Sequence, residues 1–236
     1  MQRNFQPELM DEPEVDPDLL ADDLENLIRL NQLFGGRRVI RRRLEPLLRV
    51  WPRGELLTVL DIGSGAGDLC RAVVEVCRRH GTPTRVWALD CHARTQAFAV
   101  RSSGAYPEIR FLRGDARCLP VRDGAVDLTL CTLALHHFAD ADAVEVLAEM
   151  RRVTRRWAVV SDLCRSRPGY AAVWAATRFC RNPLTRHDGP VSVQRAFTRP
   201  ELLHLSRQAG WDGARWYGEL WFRMSVVLEV DGPDGR

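Results

Sequence analysis

A chain of 236 residues with 45% hydrophobic content can bury one large core, or a core and a small cap, and a second catalytic domain is not expected. The net charge of +3 is too small to mark a nucleic-acid binder. All 34 basic residues are arginine, even on ordinary helix faces such as Arg78-Arg79, so Arg37-Arg38 and Arg41-Arg42-Arg43 read as solvated surface. No apolar stretch reaches the about 18 residues of a membrane span, and no leader of basic, apolar and small residues is visible. The seven cysteines include no C-x-x-C pair and look like reduced small hydrophobes. A cytoplasmic protein without disulfides or zinc is expected.

Residues 1–17 are acidic and proline-punctuated, and are expected as a mobile lead-in. Residues 18–54 form a helical cap. Leu20, Leu24, Leu27, Asn31 and Phe34 recur at helical spacing, Gly35-Gly36 stops the first helix, and a second over 37–50 is expected to bend near Pro46. One domain then runs over 55–236. Strands are predicted at 56–62, 84–90, 109–113, 125–131 and 156–162, with helices at 67–79, 92–103 and 141–154 between them. This alternation implies an α/β, doubly wound parallel sheet with helices on both faces. Two more helices follow at 169–181 and 199–209, the second marked by Thr198, Pro200 and Gly210. Between them residues 182–196 are polar, hold Pro183 and Pro190, and read as a lid or substrate loop. Residues 214–220 and 223–230 make a terminal strand pair.

The stretch Leu60-Asp61-Ile62-Gly63-Ser64-Gly65-Ala66-Gly67-Asp68 is the most informative in the chain. An apolar run enters a glycine-rich turn that opens a helix, the layout of a ligand-binding loop. A dinucleotide fingerprint wants glycine at the sixth position, where this chain has Asp68, and the flanking Asp61 and Asp68 would repel a pyrophosphate. The same carboxylates suit a ligand carrying an amine and a sulfonium. S-adenosylmethionine is such a ligand.

The loop resembles motif I of the class I S-adenosylmethionine-dependent methyltransferases, and further landmarks follow in order. Trp87-Ala88-Leu89-Asp90 ends the second strand, Gly114-Asp115-Ala116 follows the third, Ala125 to Thr132 resembles the fourth, and Leu135-His136-His137-Phe138 the turn after it. The resemblance covers residues 55–165 and more loosely extends to the C-terminus. It implies S-adenosylmethionine as cofactor, a Rossmann-like sheet of seven strands closed by an antiparallel hairpin, and N-terminal helices over the cofactor edge. It also implies a cofactor site of Asp61, Gly63, Gly65, Asp90, Asp115, Ala116 and Thr132. In the family the residue matched by Asp90 takes both ribose hydroxyls, a task suited to a carboxylate with two acceptor oxygens. The loop matched by Asp115 and Ala116 contacts adenine.

The acceptor is narrowed by what is missing. Cys131-Thr132-Leu133-Ala134 replaces the Asn/Asp-Pro-Pro-aromatic turn of base-amino methyltransferases; the Pro-Cys nucleophile of cytosine C5 enzymes and the glutamate pair of protein-arginine enzymes are also absent. The chain is similar to quinone-biosynthesis methyltransferases and, through Leu27 to Gly36 and His187 to Thr198, to methyltransferases encoded beside bacterial type III polyketide synthases. A small aromatic, phenolic or quinone-like acceptor in secondary metabolism is implied, with O-methylation favoured over C-methylation. His136 and His187 are the candidate bases or acceptor-orienting groups, His187 through its neighbour Asp188. His137 is expected to point elsewhere and to bond the helix start near residues 140–142; His92 to line the adenosine side or cap the next helix. Tyr170, Trp174 and Phe179 are candidate walls, and Asp162 and Arg165 are candidates to reach the acceptor. Adjacent histidines on a tight turn rarely converge on one ion, and no metal is expected. An RNA methyltransferase and a non-catalytic cofactor-binding protein stay open as alternatives, with a nicotinamide oxidoreductase third. The sequence does not decide the oligomeric state.

Overall fold

The computed structural model describes residues 1–12 and 14–230. Pro13 of the acidic lead-in and residues 231–236 of the expected domain lie outside the described residues. Strands β1 (Leu57–Ile62), β2 (Thr84–Asp90), β3 (Ile109–Arg113), β4 (Val126–Thr132), β5 (Thr154–Leu163), β6 (Arg215–Glu219) and β7 (Arg223–Glu229) form one sheet in the order β3-β2-β1-β4-β5-β7-β6. β1 to β5 are parallel, whereas β7 runs antiparallel to both β5 and β6, as the expected closing hairpin requires.

Both faces of this sheet are covered, so its central strands are apolar on alternate sides. Val59 packs with helices α2 (Gly36–Val50) and α3 (Asp68–His80) through Leu44, Val73 and Cys77. Its neighbour Leu60 packs on the other face against α5 (Asp140–Val153) and α8 (Arg199–Gln208) through Leu147, Met150 and Leu202. The strand order reverses between β2 and β4 on either side of β1, the topological position where open α/β sheets bind ligands beyond the strands' carboxyl ends.

That edge starts with the glycine turn. The turn after β1 is left-handed at Gly63 (φ +68°), and a Cβ there would lie 2.4 Å from the Ala134 Cβ of the turn after β4. Gly63→Ala therefore combines a left-handed backbone cost of about 1–2 kcal/mol with an overpacking cost of about 1–3 kcal/mol. The expected loss in thermal midpoint is about 5–15 °C. Gly54→Ala, equally left-handed (φ +80°) but with open space around its Cβ, should cost only the backbone share. Equal midpoints for the two variants by calorimetry would contradict this account.

Helix α1 (Pro17–Leu33) forms the expected cap over this edge, with α6 (Arg167–Thr177) and α7 (Pro183–Arg195) beside it; α4 (Ala93–Ser102) links β2 to β3. Residues 182–196, expected as a polar loop, are helical instead. Asn182 caps the Leu184 N–H, Pro183 occupies the first turn where no N–H is needed, and Leu184, Val191 and Val193 are buried. Gly189 permits close packing on α6, because a Cβ there would sit 2.6 Å from Thr177 Cγ2. Residues 1–12 do not hang free as a mobile lead-in. Arg3 donates to the carbonyls of Phe138 (2.7 Å) and Arg195 (2.6 Å), pairs with Asp140, and lies 3.8 Å from the Phe197 ring centre. Leu9 and Met10 each donate a backbone N–H to the Asp188 carboxylate at 2.9 Å. No helix of the described residues is long and apolar enough to cross a membrane.

Candidate functional site

A cavity of about 580 Å³ opens at the carboxyl edge of the sheet, within the range of small-molecule sites. One end is built from strand termini. Asp61 at the end of β1 is 3% exposed and accepts the Cys70 S–H at 2.9 Å. Burial, together with the nearby Asp68 and Asp90 carboxylates, pushes Asp61 up to about 7 in spite of the Cys70 bond. Asp90 at the end of β2 holds the glycine turn: its Oδ2 accepts the Gly65 N–H and its Oδ1 the His92 N–H, both at 2.8 Å. Each oxygen keeps a second lone pair. Thr132 and the buried Ala116 line the cavity too, and Leu133 between Thr132 and Ala134 is held at φ +54°, a strained conformation for leucine. Asp115 lines the rim with its carboxylate held below its ordinary range by Arg117, whose Nη2 donates to it at 2.7 Å.

All seven expected cofactor residues, Asp61, Gly63, Gly65, Asp90, Asp115, Ala116 and Thr132, thus face one cavity. The structure adds three that the sequence analysis did not single out for it. Asn31 of α1 donates to Asp68 (3.3 Å) and accepts from Arg223 Nη2 (3.0 Å); the buried Arg223 is lowered to about 10 by burial, against the pull of Asp162 and Asp68. Ser64 Oγ and Arg223 Nε and Nη1 have no hydrogen-bond partner among the described residues, so the lining carries donors left for a ligand.

The lining is also polar around the turn after β4. His136, 3% exposed, donates its Nδ1–H to Asp162 Oδ1 at 2.7 Å and its backbone N–H to Asp162 Oδ2 at 3.0 Å. Its Nε2 lies 3.5 Å from Glu8 Oε1 of the N-terminal segment. Burial alone would lower His136, but Asp162 and Glu8 outweigh it and raise the imidazole to about 10. As docked, His136 carries a proton at neutral pH and is a donor, not a free base. Burial would raise Glu8, yet His137, His136 and Ser192 hold it down to about 2.

Several expectations are corrected here. His187 does not line the cavity; its Nδ1 is bound 2.7 Å from Asp188, whose carboxylate serves the N-terminal segment instead of a substrate. His137 does not point away: its ring stacks 4.4 Å from that of His136, and its Nδ1–H donates to Asp11 at 3.1 Å, not to the start of α5. Tyr170, Trp174 and Phe179 are not wall residues, Phe179 being 91% exposed. The aromatic walls are Phe34 and the hairpin tip Trp221 and Phe222, both at φ +58°. Arg165 turns inward to Ala196 and Glu201, and Asp162 acts through His136. His92 both precedes α4 and lines the cavity.

A sheet of this topology with a glycine turn at its switch point is a Rossmann-like α/β fold. Residues 59–156 match the model of the methyltransferase domain family. The chain is 29% identical over 184 residues to a 2-phytyl-1,4-naphthoquinone methyltransferase of Thermosynechococcus vestitus, covering 72% of this chain and 79% of that one. It is 32% identical over 135 residues to a demethylmenaquinone methyltransferase of Thermus thermophilus, covering 57% of each. It spans less than two thirds of several other curated relatives it matches. A solved S-adenosylmethionine-dependent methyltransferase of Aquifex aeolicus shares the fold at a TM-score of 0.58 and 16% identity, covering 92% of this chain and 100% of that one. The matched domain, the relatives and the shared fold support a class I S-adenosylmethionine-dependent methyltransferase. S-adenosylmethionine is its cofactor.

Proposed function

We propose that the protein transfers the methyl group of S-adenosylmethionine to the hydroxyl oxygen of a phenolic or quinol-like small molecule. One observation carries the reading: a single cavity joins the carboxylate-flanked glycine turn to apolar and aromatic walls and to the Asp162-supported His136. The sulfonium supplies an activated leaving group, so the chain's task is to align the two partners and exclude water. Asp90 holds the ribose hydroxyls, Asp115 and the Ala116 backbone meet the adenine, and Asp61 with Asp68 faces the ammonium. Leu27, Phe34, Val173, Trp221 and Phe222 enclose the acceptor's apolar body, and His136 meets its oxygen. The names of the two quinone-acting relatives favour a second reading, methylation of a ring carbon beside that hydroxyl.

Incubation with methyl-labelled cofactor and a panel of alkylresorcinols, hydroquinones and tRNA tests this directly. Label is expected in the phenolic acceptors as a methoxy carbon by NMR. An aryl-methyl product would favour the ring-carbon reading, and label in tRNA alone would overturn the small-molecule assignment.

The Asp61 assignment predicts a pH dependence. A carboxyl raised to about 7 stabilises the cofactor-free fold below its unfolded pKa, and that share is lost as pH rises through 7. The bound ammonium needs the ionised form, of which about one tenth exists at pH 6 and about nine tenths at pH 8. Apparent cofactor affinity should therefore rise about tenfold between those values, with proton release on binding near pH 6.5. Calorimetry in buffers of different ionisation enthalpy measures both. A pH-independent affinity, or one unchanged in slope by Asp61→Asn, would remove Asp61 from the site.

A further inference from the structure

We infer that Glu8, His136 and His137 form a binding site for a divalent transition-metal ion, zinc being the best fit, at the acceptor end of the cavity. One ligand atom from each of the three lies within 4.8 Å of the others. His136 Nε2 lies 3.5 Å from Glu8 Oε1 and His137 Nε2 lies 3.8 Å from the other oxygen, Glu8 Oε2. Tetrahedral zinc with bonds of roughly 2.0–2.1 Å spaces its ligands by about 3.4 Å, so closure on an ion needs only small side-chain shifts.

Adjacent histidines diverge on an extended chain. Here the 3₁₀ turn Leu135–His137 stacks the two rings 4.4 Å apart at 32° and aims both Nε2 atoms at the same carboxylate. The far side of each ring supplies the second observation. His136 Nδ1 donates to Asp162 at 2.7 Å and His137 Nδ1 to Asp11 at 3.1 Å. Carboxylates behind both imidazoles bind the Nδ1 side and orient each ring so that Nε2, once any proton there is displaced, can ligate, the arrangement that supports metal-bound histidines.

Charge points the same way. Glu8, Asp162 and Asp11 bring three carboxylates to two imidazoles, so a dication with neutral imidazoles carries the same total charge as two protonated rings and can replace their protons without a new charge imbalance. Two imidazoles and a carboxylate, with no thiolate, leave a fourth position of the kind that open zinc sites keep. All three ligands and Asp11 line the cavity, so that position faces the acceptor. Resting on the methyl-transfer reading above, the fourth ligand is the acceptor's oxygen, and His136 meets that oxygen through the cation. The ion also ties the N-terminal segment to the turn after β4. Asp188 of α7 already holds the Leu9 and Met10 amides that follow Glu8, and Ser192 Oγ donates to the Glu8 carboxylate at 2.7 Å.

The full-length protein, stripped with a chelator, is titrated with Zn(II) by calorimetry and with Co(II) by visible absorption. One equivalent is expected to bind with micromolar or tighter affinity, Co(II) giving tetrahedral d–d bands. Glu8→Gln, close to isosteric, is expected to weaken Zn(II) at least 100-fold, and Asp11→Asn about tenfold. Cofactor affinity of both variants should stay within about twofold of wild type, which reports an intact fold. A folded wild type that binds cofactor but takes up no equivalent of Zn(II) below 100 µM overturns the site. So does a Glu8→Gln variant with wild-type metal affinity. Methyl transfer without metal uptake sinks this inference and leaves the proposed function standing; metal uptake without methyl transfer does the reverse.

Discussion

Asp90→Ala is expected to weaken S-adenosylmethionine binding by at least about 100-fold while the protein still folds. Each hydrogen bond from a ribose hydroxyl to a carboxylate is worth about 1.5–3 kcal/mol, and two of them span two factors of ten or more. The same side chain pins the Gly65 and His92 amides, so the alanine variant also loses the shape of the glycine turn. Asp90→Asn separates the contributions. It keeps one acceptor oxygen for one amide and one hydroxyl, and an intermediate loss of about tenfold is expected. Calorimetric titration with cofactor measures both. Wild-type affinity in the alanine variant would place the ribose elsewhere.

His136→Ala is expected to lower kcat/KM by about 10²–10⁴ with cofactor affinity unchanged within about twofold. The imidazole lines the cavity on the turn after β4, buried against Asp162 and facing Glu8. Its loss leaves the reacting oxygen without a polar partner in a water-poor site, while Asp90 and the glycine turn are untouched. Asp162→Asn should give a smaller loss, about tenfold, because the ring stays but its orientation and charge are less well held. His187→Ala is the control. His187 lies outside the cavity, and its variant should turn over within about threefold of wild type. Full activity in His136→Ala, or a large loss in His187→Ala, would reverse these assignments.

The parts legible in the sequence are those whose chemistry is local. β1 and the turn after it are written in adjacent residues, an apolar run and then Gly63, Gly65 and Gly67, all left-handed in the structure. Asp90 is legible through the family resemblance, as the acidic residue that ends the second strand. The closing hairpin followed from two short strand patterns near the C-terminus. What escaped depends on partners far away in sequence. Residues 182–196 carry Pro183, Gly189 and Pro190 and lack a clear helical stripe, yet α7 forms because Asn182 caps it and its buried residues meet α6 and the N-terminal segment. Residues 1–17 read as acidic, proline-punctuated and too poor in apolar material to fold alone, but Arg3 is bound to residues more than 130 positions away and Met10 packs beside Leu20 and Leu24. Phe5, Leu9 and Met10 were the available hint. Glu8 carried no motif, and its meeting with His136 and His137 is visible only once that segment is laid across the turn after β4. His187 misled for a related reason: its neighbouring carboxylate is real, but it is spent on the amides of Leu9 and Met10.

A crystal structure with S-adenosylhomocysteine tests the central claim most directly. The account predicts the ribose hydroxyls on Asp90, the adenine beside Asp115 and Ala116, the amino group within reach of Asp61, and the sulfur facing the His136 end of the same cavity. Adenosine density anywhere other than at the Asp90 carboxylate, or a sulfur turned away from His136, would contradict it.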